Sequence, residues 1–193
     1  MSIELNQRAS LLLKGLSRLQ LKVVETTDVT RQLAPYRHVP PFLRSLLVAD
    51  GTVTMALEAY YLEDIVIRTQ RQGAFLADES LPSLDLNKGE RAFYREVELR
   101  GAESDQLYAS AASILNSRSI DTQLFDQLVD ERVGIGVILR NFARGSHREV
   151  MSINEGGLMT EADISRTYRV SLNEKPAILI TEEFNYSAFQ PDL

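Results

Sequence analysis

Hydrophobic positions follow two different periods along this chain, and the switch between them divides it. Near the start, Leu11, Leu12, Leu13, Leu16 and Leu19 recur at helical spacing after the polar Asn6-Gln7-Arg8, which predicts an amphipathic helix. Leu21-Lys22-Val23-Val24 reads as a short extended piece, and Pro35, Pro40 and Pro41 bound an irregular connector. Phe42, Leu43, Leu46 and Leu47 form a second helical face, Asp50-Gly51 signals a turn, and Thr52 or Thr54 is placed to cap a short helix running through Tyr61. Period two then takes over. Strands are predicted to open at Ile65-Val66-Ile67 and to run over Phe93–Gly101, Gln106–Leu115, His147–Ile153, Ile164–Leu172 and Pro176–Tyr186. A loop-like stretch from Ala74 to Gly89 and one helix, Thr122–Glu131, interrupt them. About six strands joined by hairpins and short links, with helices concentrated in the first half, predict an α+β fold: a single domain over residues 1–193 built on an antiparallel sheet. No internal repeat is visible in the residues.

Two charges break this pattern. On the last strand Ile178, Ile180, Glu182 and Phe184 share one face, while Ala177, Leu179, Thr181 and Glu183 share the other; Glu182 is therefore expected in the core and Glu183 in water. An ionised carboxylate taken out of water costs several kcal/mol unless it is paired, so Glu182 needs a partner. In Phe93–Gly101 the apolar face reads Phe93, Arg95, Val97, Leu99, which makes Arg95 the expected partner. Such a pair is either a structural ion pair between strands or the poles of a pocket, and the pattern alone leaves both open. Arg166 has the parity of Ile164, Tyr168 and Val170 but is expected at a strand end, in water or beside an acidic neighbour. Leu107, Ala109 and Ala111 narrow one strand face to small side chains, which either leaves room for a ligand beside Arg95 or, as such faces more often do, packs tightly. Gly134 and Gly136 let backbone N–H groups turn toward an anion, although their spacing matches neither a dinucleotide motif nor a P-loop.

Composition then removes whole classes of function. With 27 acidic against 21 basic residues and the arginines scattered, nucleic acid and anionic membranes are poor partners. There is no cysteine, and the two histidines are His38 and His147, so disulfides and thiolate catalysis are excluded and a Cys/His zinc site is strained. No apolar run approaches the roughly 20 residues of a membrane helix, and the first residues, MSIELNQR, do not read as a targeting segment; a cytoplasmic protein is expected.

The segments LLVADGTVTMALE (46–58), YREVEL (94–99), LYASAASIL (107–115), VGIGVIL (133–139), REVMSI (148–153), RTYRV (166–170) and KPAILITEEF (175–184), in this order and spacing, resemble the chorismate pyruvate-lyase family. Members of that family release pyruvate from chorismate to leave 4-hydroxybenzoate, a precursor in quinone or specialised metabolism. The resemblance runs from about Phe42 to Phe184. It implies an antiparallel sheet with helical flaps over an enclosed site, with Arg95 and Glu182 as the catalytic pair. It also implies substrate-binding positions at Val53 and Ile135, through their backbone N–H groups, and at Ala111. Neither a metal nor an organic cofactor is implied, and the partner is a small carboxylic acid. The chain departs from the family pattern at Met55, where members often carry a basic residue, and at Ala111, where some carry arginine. The alternative is the same fold put to use on another small carboxylic acid, as a non-oxidative biosynthetic enzyme or as a ligand-binding module.

Overall fold

A computed structural model describes residues 3–19, 21, 29–49, 53–129, 135–142 and 145–190, and for Val137, Arg140, Asn141 and Phe142 it describes the backbone alone. The expected Val23-Val24 extended piece, the Asp50-Gly51 turn and the Val133-Gly134 step lie outside these residues. The described elements run α1 (Ile3–Arg18), α2 (Val29–Leu33), α3 (Pro41–Val48), α4 (Val53–Tyr61), β1 (Ile65–Leu76), β2 (Arg91–Gly101), β3 (Leu107–Leu115), α5 (Thr122–Leu128), α6 (Ile135–Phe142), β4 (Ser146–Glu155), β5 (Ile164–Leu172) and β6 (Lys175–Phe184). The six strands form one sheet in the order β1-β2-β3-β6-β5-β4 with every neighbouring pair antiparallel.

Two elements differ from expectation. β1 continues through Leu76 into the stretch read as loop, carried past a bulge between Thr69 and Arg71. The residues around Gly136 open a helix, α6, because the spacing of Ile135, Ile138 and Leu139 gives a helical apolar stripe that outweighs one glycine.

Both faces of the sheet are covered, and the two coverings differ. On one face α1 lays Leu5, Ala9, Leu12, Leu13 and Leu16 against Phe75, Tyr94, Ile114 and Leu179. Gly73 permits the close approach, since a Cβ there would come within 2.8 Å of the Leu5 Cδ1. On the opposite face the apolar contacts fall into two clusters. One joins α3 and α4 to Leu99, Ala109, Ile164 and Phe184; the other joins α5 and α6 to Leu115, Val170, Ile178 and Ile180. The gap between these clusters is where the polar residues of that face collect.

The register there is set by the β5–β6 hairpin. Asn173 and Glu174 form a two-residue turn with both φ angles positive, 48° and 65°, the conformation that matches the twist of a tight hairpin. Counting out from Leu172 opposite Lys175, a shift between Val170 and Ser171 moves the pairing by one residue and sets Arg166 directly opposite Glu182.

Candidate functional site

β3 contributes the smallest side chains of the polar gap, and those side chains form its floor. Across the sheet, one row reads Gln72, Arg95, Ser113, Ile180, Tyr168 and the next reads Thr69, Val97, Ala111, Glu182, Arg166. Ala111 and Ser113 thus sit between Arg95 on β2 and Glu182 on β6, whose backbones lie about 12 Å apart on the diagonal of two strand spacings and one residue pair. The low side chains leave a cavity between the sheet and the helices that cover it. Ile67, Val97, Leu99 and Ile180 give it apolar walls, and Arg95, Arg148, Tyr168 and Glu182 give it polar ones. Its rim is made by the first residues of two helices, Val53 and Thr54 of α4 and Ile135 and Gly136 of α6.

All five residues singled out from the sequence, Arg95, Glu182, Val53, Ile135 and Ala111, therefore line one cavity. Val53 and Ile135 are each the first described residue of a helix, and the start of a helix favours negative charge. Met55 is 49% exposed and is not part of the lining.

The expected pairing of Glu182 with Arg95 is not what forms. Glu182 Oε2 accepts from Arg166 Nε at 2.7 Å, and both side chains are buried. Parity gave both residues the correct face, but only the strand order puts β5 beside β6, with β3 intervening between Arg95 and Glu182. Of the two placements expected for Arg166, in water or beside an acidic neighbour, the structure shows the second: it is 1% exposed and paired with Glu182. Its Nη1 donates to the Leu46 carbonyl and, at 2.8 Å, to the Ala49 carbonyl, so the end of α3 is tied to the sheet. Arg95 does the same elsewhere: its Nη1 donates to the Leu128 carbonyl at 2.9 Å, while Gln72 Nε2 donates to the Val129 carbonyl at 2.9 Å, holding the end of α5. Each buried arginine thus fixes the helix that precedes one rim.

Tyr168 and Arg148 were not singled out. The Tyr168 hydroxyl donates to Glu182 Oε1 over a long 3.4 Å, and its ring lies 5.1 Å from the Arg166 guanidinium carbon. Burial, and next the Glu182 carboxylate, push the Tyr168 hydroxyl well above its ordinary pKa, so it stays a neutral donor. Arg148 stands on β4, half buried, with Nη2 donating to the Gly136 carbonyl at 3.3 Å. The one available signal was that it lies two residues before Val150, on the face that Val150 shares with Tyr168. Glu182 is countered by Arg166 from behind, and the lining also carries the guanidinium groups of Arg95 and Arg148.

Glu183 overturns the other expectation for β6. It is 3% exposed and accepts from the N–H groups of Leu158, Met159 and Thr160 at 2.5, 2.7 and 2.9 Å and from the Thr160 hydroxyl at 2.6 Å. A loop closes over it where Gly157 carries no Cβ to strike the carboxylate. Among the described residues no group of three or more acidic or histidine side chains is placed to hold a metal ion, and no helix is long and apolar enough to cross a membrane.

Comparison with known proteins adds sequence and fold relatives. The family described as chorismate pyruvate-lyase Rv2949c-like matches residues 47–190. A protein of Mycobacterium leprae (strain TN) named chorismate pyruvate-lyase is 26% identical over 175 residues, covering 85% of this chain and 83% of the relative. Among solved structures, PhnF from Mycobacterium smegmatis is similar with a TM-score of 0.55 at 11% identity, over 95% of this chain and 96% of its own. The effector domain of the same protein gives a TM-score of 0.54 at 11% identity over 72% and 91%. At that identity the likeness speaks of the α+β sheet fold alone.

Proposed function

The chain belongs to the Rv2949c-like chorismate pyruvate-lyase family, and from that premise we propose that it eliminates pyruvate from chorismate to leave 4-hydroxybenzoate, acting in the cytoplasm. The observation that carries this reading is the trough over Ala111 and Ser113, with Arg95 at one end, Glu182 at the other and two helix N-termini along its rim. A flat ring with a carboxylate at one end and a hydroxyl at the other suits that shape.

Chorismate is a dianion with a cyclohexadiene ring. The reaction breaks the bond between the ring and the enolpyruvyl oxygen, and the ring carbon that bears the hydroxyl gives up its hydrogen. The departing enolpyruvate gains a proton at its methylene carbon to become pyruvate. Aromatisation supplies the driving force, so the protein's task is to hold, align and manage one proton. Arg95 takes the ring carboxylate: a guanidinium has five N–H donors, so holding the Leu128 carbonyl is compatible with gripping a carboxylate as well. The N–H groups of Val53 and Ile135 support the same charge from the rim. Glu182, fixed by Arg166 through Oε2, presents Oε1 to the ring hydroxyl as acceptor, and the neutral Tyr168 hydroxyl stands beside it as donor. The apolar walls exclude water and strengthen each of these contacts.

The test is to mix the protein with chorismate and follow pyruvate and 4-hydroxybenzoate together. Equal amounts of both, formed above the spontaneous rate and abolished or cut at least about 100-fold by Arg95→Ala, are expected from the loss of a charge-assisted clamp on the substrate. Undiminished turnover in Arg95→Ala removes that residue from the mechanism. Tight binding of 4-hydroxybenzoate with no turnover of chorismate turns the reading to a ligand-binding module.

A further inference from the structure

A dianion needs more than one cationic locus, and Arg95 stands at only one end of the cavity. The second guanidinium in the lining belongs to Arg148, on the edge strand β4. Four strand spacings and one residue pair separate the two backbones, roughly 20 Å, and both side chains line the one cavity, with Tyr168 and Ile180 on the strands between them. Arg148 also contacts the Gly136 carbonyl, in the first turn of α6, which brings its charge to the rim rather than to the β3 floor.

Resting on the chorismate reading above, we infer that Arg148 binds the second carboxylate, the one on the enolpyruvyl group, and so makes the site selective for the dicarboxylate substrate over its monocarboxylate product. Arg95 and the floor hold the ring carboxylate, which substrate and product share. The side-chain carboxylate leaves with pyruvate, and with it goes the only group that Arg148 recognises. The product is then held by one clamp instead of two, which favours its release.

The test uses two stable probes, 4-hydroxybenzoate and 3-(carboxymethoxy)-4-hydroxybenzoate. The second carries a carboxylate on an ether beside the ring hydroxyl, as chorismate does, and cannot eliminate. Calorimetric titration of the wild-type protein is expected to show tighter binding of the dicarboxylate. Arg148→Ala is expected to weaken that ligand by about 10- to 100-fold, the worth of a hydrogen bond to a charged group, and to leave the affinity for 4-hydroxybenzoate within about twofold. The unchanged monocarboxylate affinity shows in the same experiment that the variant is folded, and Arg148→Lys is expected to recover part of the loss. Equal weakening of both ligands, or no weakening of the dicarboxylate, overturns the inference. Wild-type turnover of chorismate with KM unchanged in Arg148→Ala overturns it as well, while the lyase reading stands. The expected binding pattern without turnover supports Arg148 as a dicarboxylate selector and sinks the lyase reading. Failure of the wild type to bind either probe overturns both.

Discussion

Replacing Arg166 with methionine removes the ion pair with Glu182, the bonds to the carbonyls of Leu46 and Ala49 and the cation–ring contact with Tyr168. The pair is buried on both sides, so Glu182 is left as a lone carboxylate in an apolar face, which costs about 3–5 kcal/mol. The two carbonyls at the end of α3 lose a donor at about 1 kcal/mol each, partly offset by the packing of methionine. A net loss of about 4 kcal/mol lowers the melting temperature of a chain this long by roughly 8–16 °C. Far-ultraviolet circular dichroism is the suitable probe in thermal and urea melts, because the chain has no tryptophan. Two further variants separate the causes. Glu182→Leu leaves Arg166 with both carbonyl acceptors and is expected to cost less than Arg166→Met. The double variant Arg166→Met, Glu182→Leu buries no lone charge and is expected to recover at least about 2 kcal/mol over Arg166→Met alone. A single-variant loss below about 1 kcal/mol, or a double variant no more stable than Arg166→Met, refutes the claim that a buried pair holds α3 to the sheet.

Glu183→Ala strands three loop N–H groups that now share one carboxylate, and urea melts are expected to show a loss of roughly 2–4 kcal/mol, with Glu183→Gln retaining about half of that stability. Ala111→Ile fills the cavity floor; 4-hydroxybenzoate affinity measured by calorimetry is expected to fall about 10- to 100-fold, while the melting temperature changes by only a few degrees. Glu182→Gln keeps shape and an acceptor but not the charge, so a large fall in kcat with KM nearly constant assigns proton transfer to this carboxylate, and full kcat refutes it. Burial raises the pKa values of Tyr61, Tyr94 and Tyr168, so the fold keeps their protons while the unfolded chain loses its own from about pH 10. Stability is full below that pH and falls above it, and the phenolate absorbance of these three is expected to rise together with loss of the dichroism signal rather than before it.

Which face a residue occupies was legible in the sequence, because a strand's period of two follows from backbone geometry and needs no knowledge of neighbours. Arg95 and Glu182 were found this way. What lies beside a residue depends on strand order and register, and neither is written in the local pattern. A naive count from the Asn173-Glu174 turn pairs Arg166 with Thr181; the one-residue shift at Val170/Ser171 delivers it to Glu182 instead. What covers a face is equally non-local. Glu183 read as a solvent position, yet the loop at 157–160 closes on it, and on the same face α1 brings Arg8 down to hold Glu96 by a two-pronged contact while Tyr94 donates to the same carboxylate at 2.9 Å. The leucine stripe of α1 says that the helix is buried, not where.

The absence of a sequence repeat conceals a repeated plan. A helix pair followed by three antiparallel strands occurs twice, as α3-α4-β1-β2-β3 and as α5-α6-β4-β5-β6, and the order β1-β2-β3-β6-β5-β4 is unchanged when the halves are exchanged. Arg95 and Arg166 occupy the middle strands of the two halves, and each holds the end of the first helix of the other half's pair. The halves diverge in what flanks those arginines. On β6, Arg166 faces a carboxylate, which neutralises it and turns the pair into an anchor with one carboxylate oxygen toward the cavity. On β3, Arg95 faces Ser113, which places no charge against it and leaves a low floor beside it. One plan used twice therefore yields a carboxylate pole and a guanidinium pole on either side of a trough, the asymmetry required to orient a ring with an acid at one end and a hydroxyl at the other. Ser113→Glu, which gives β3 the carboxylate that β6 already has, is expected to abolish 4-hydroxybenzoate binding while the melting temperature holds or rises; undiminished binding in that variant shows that the ring acid is recognised somewhere other than Arg95.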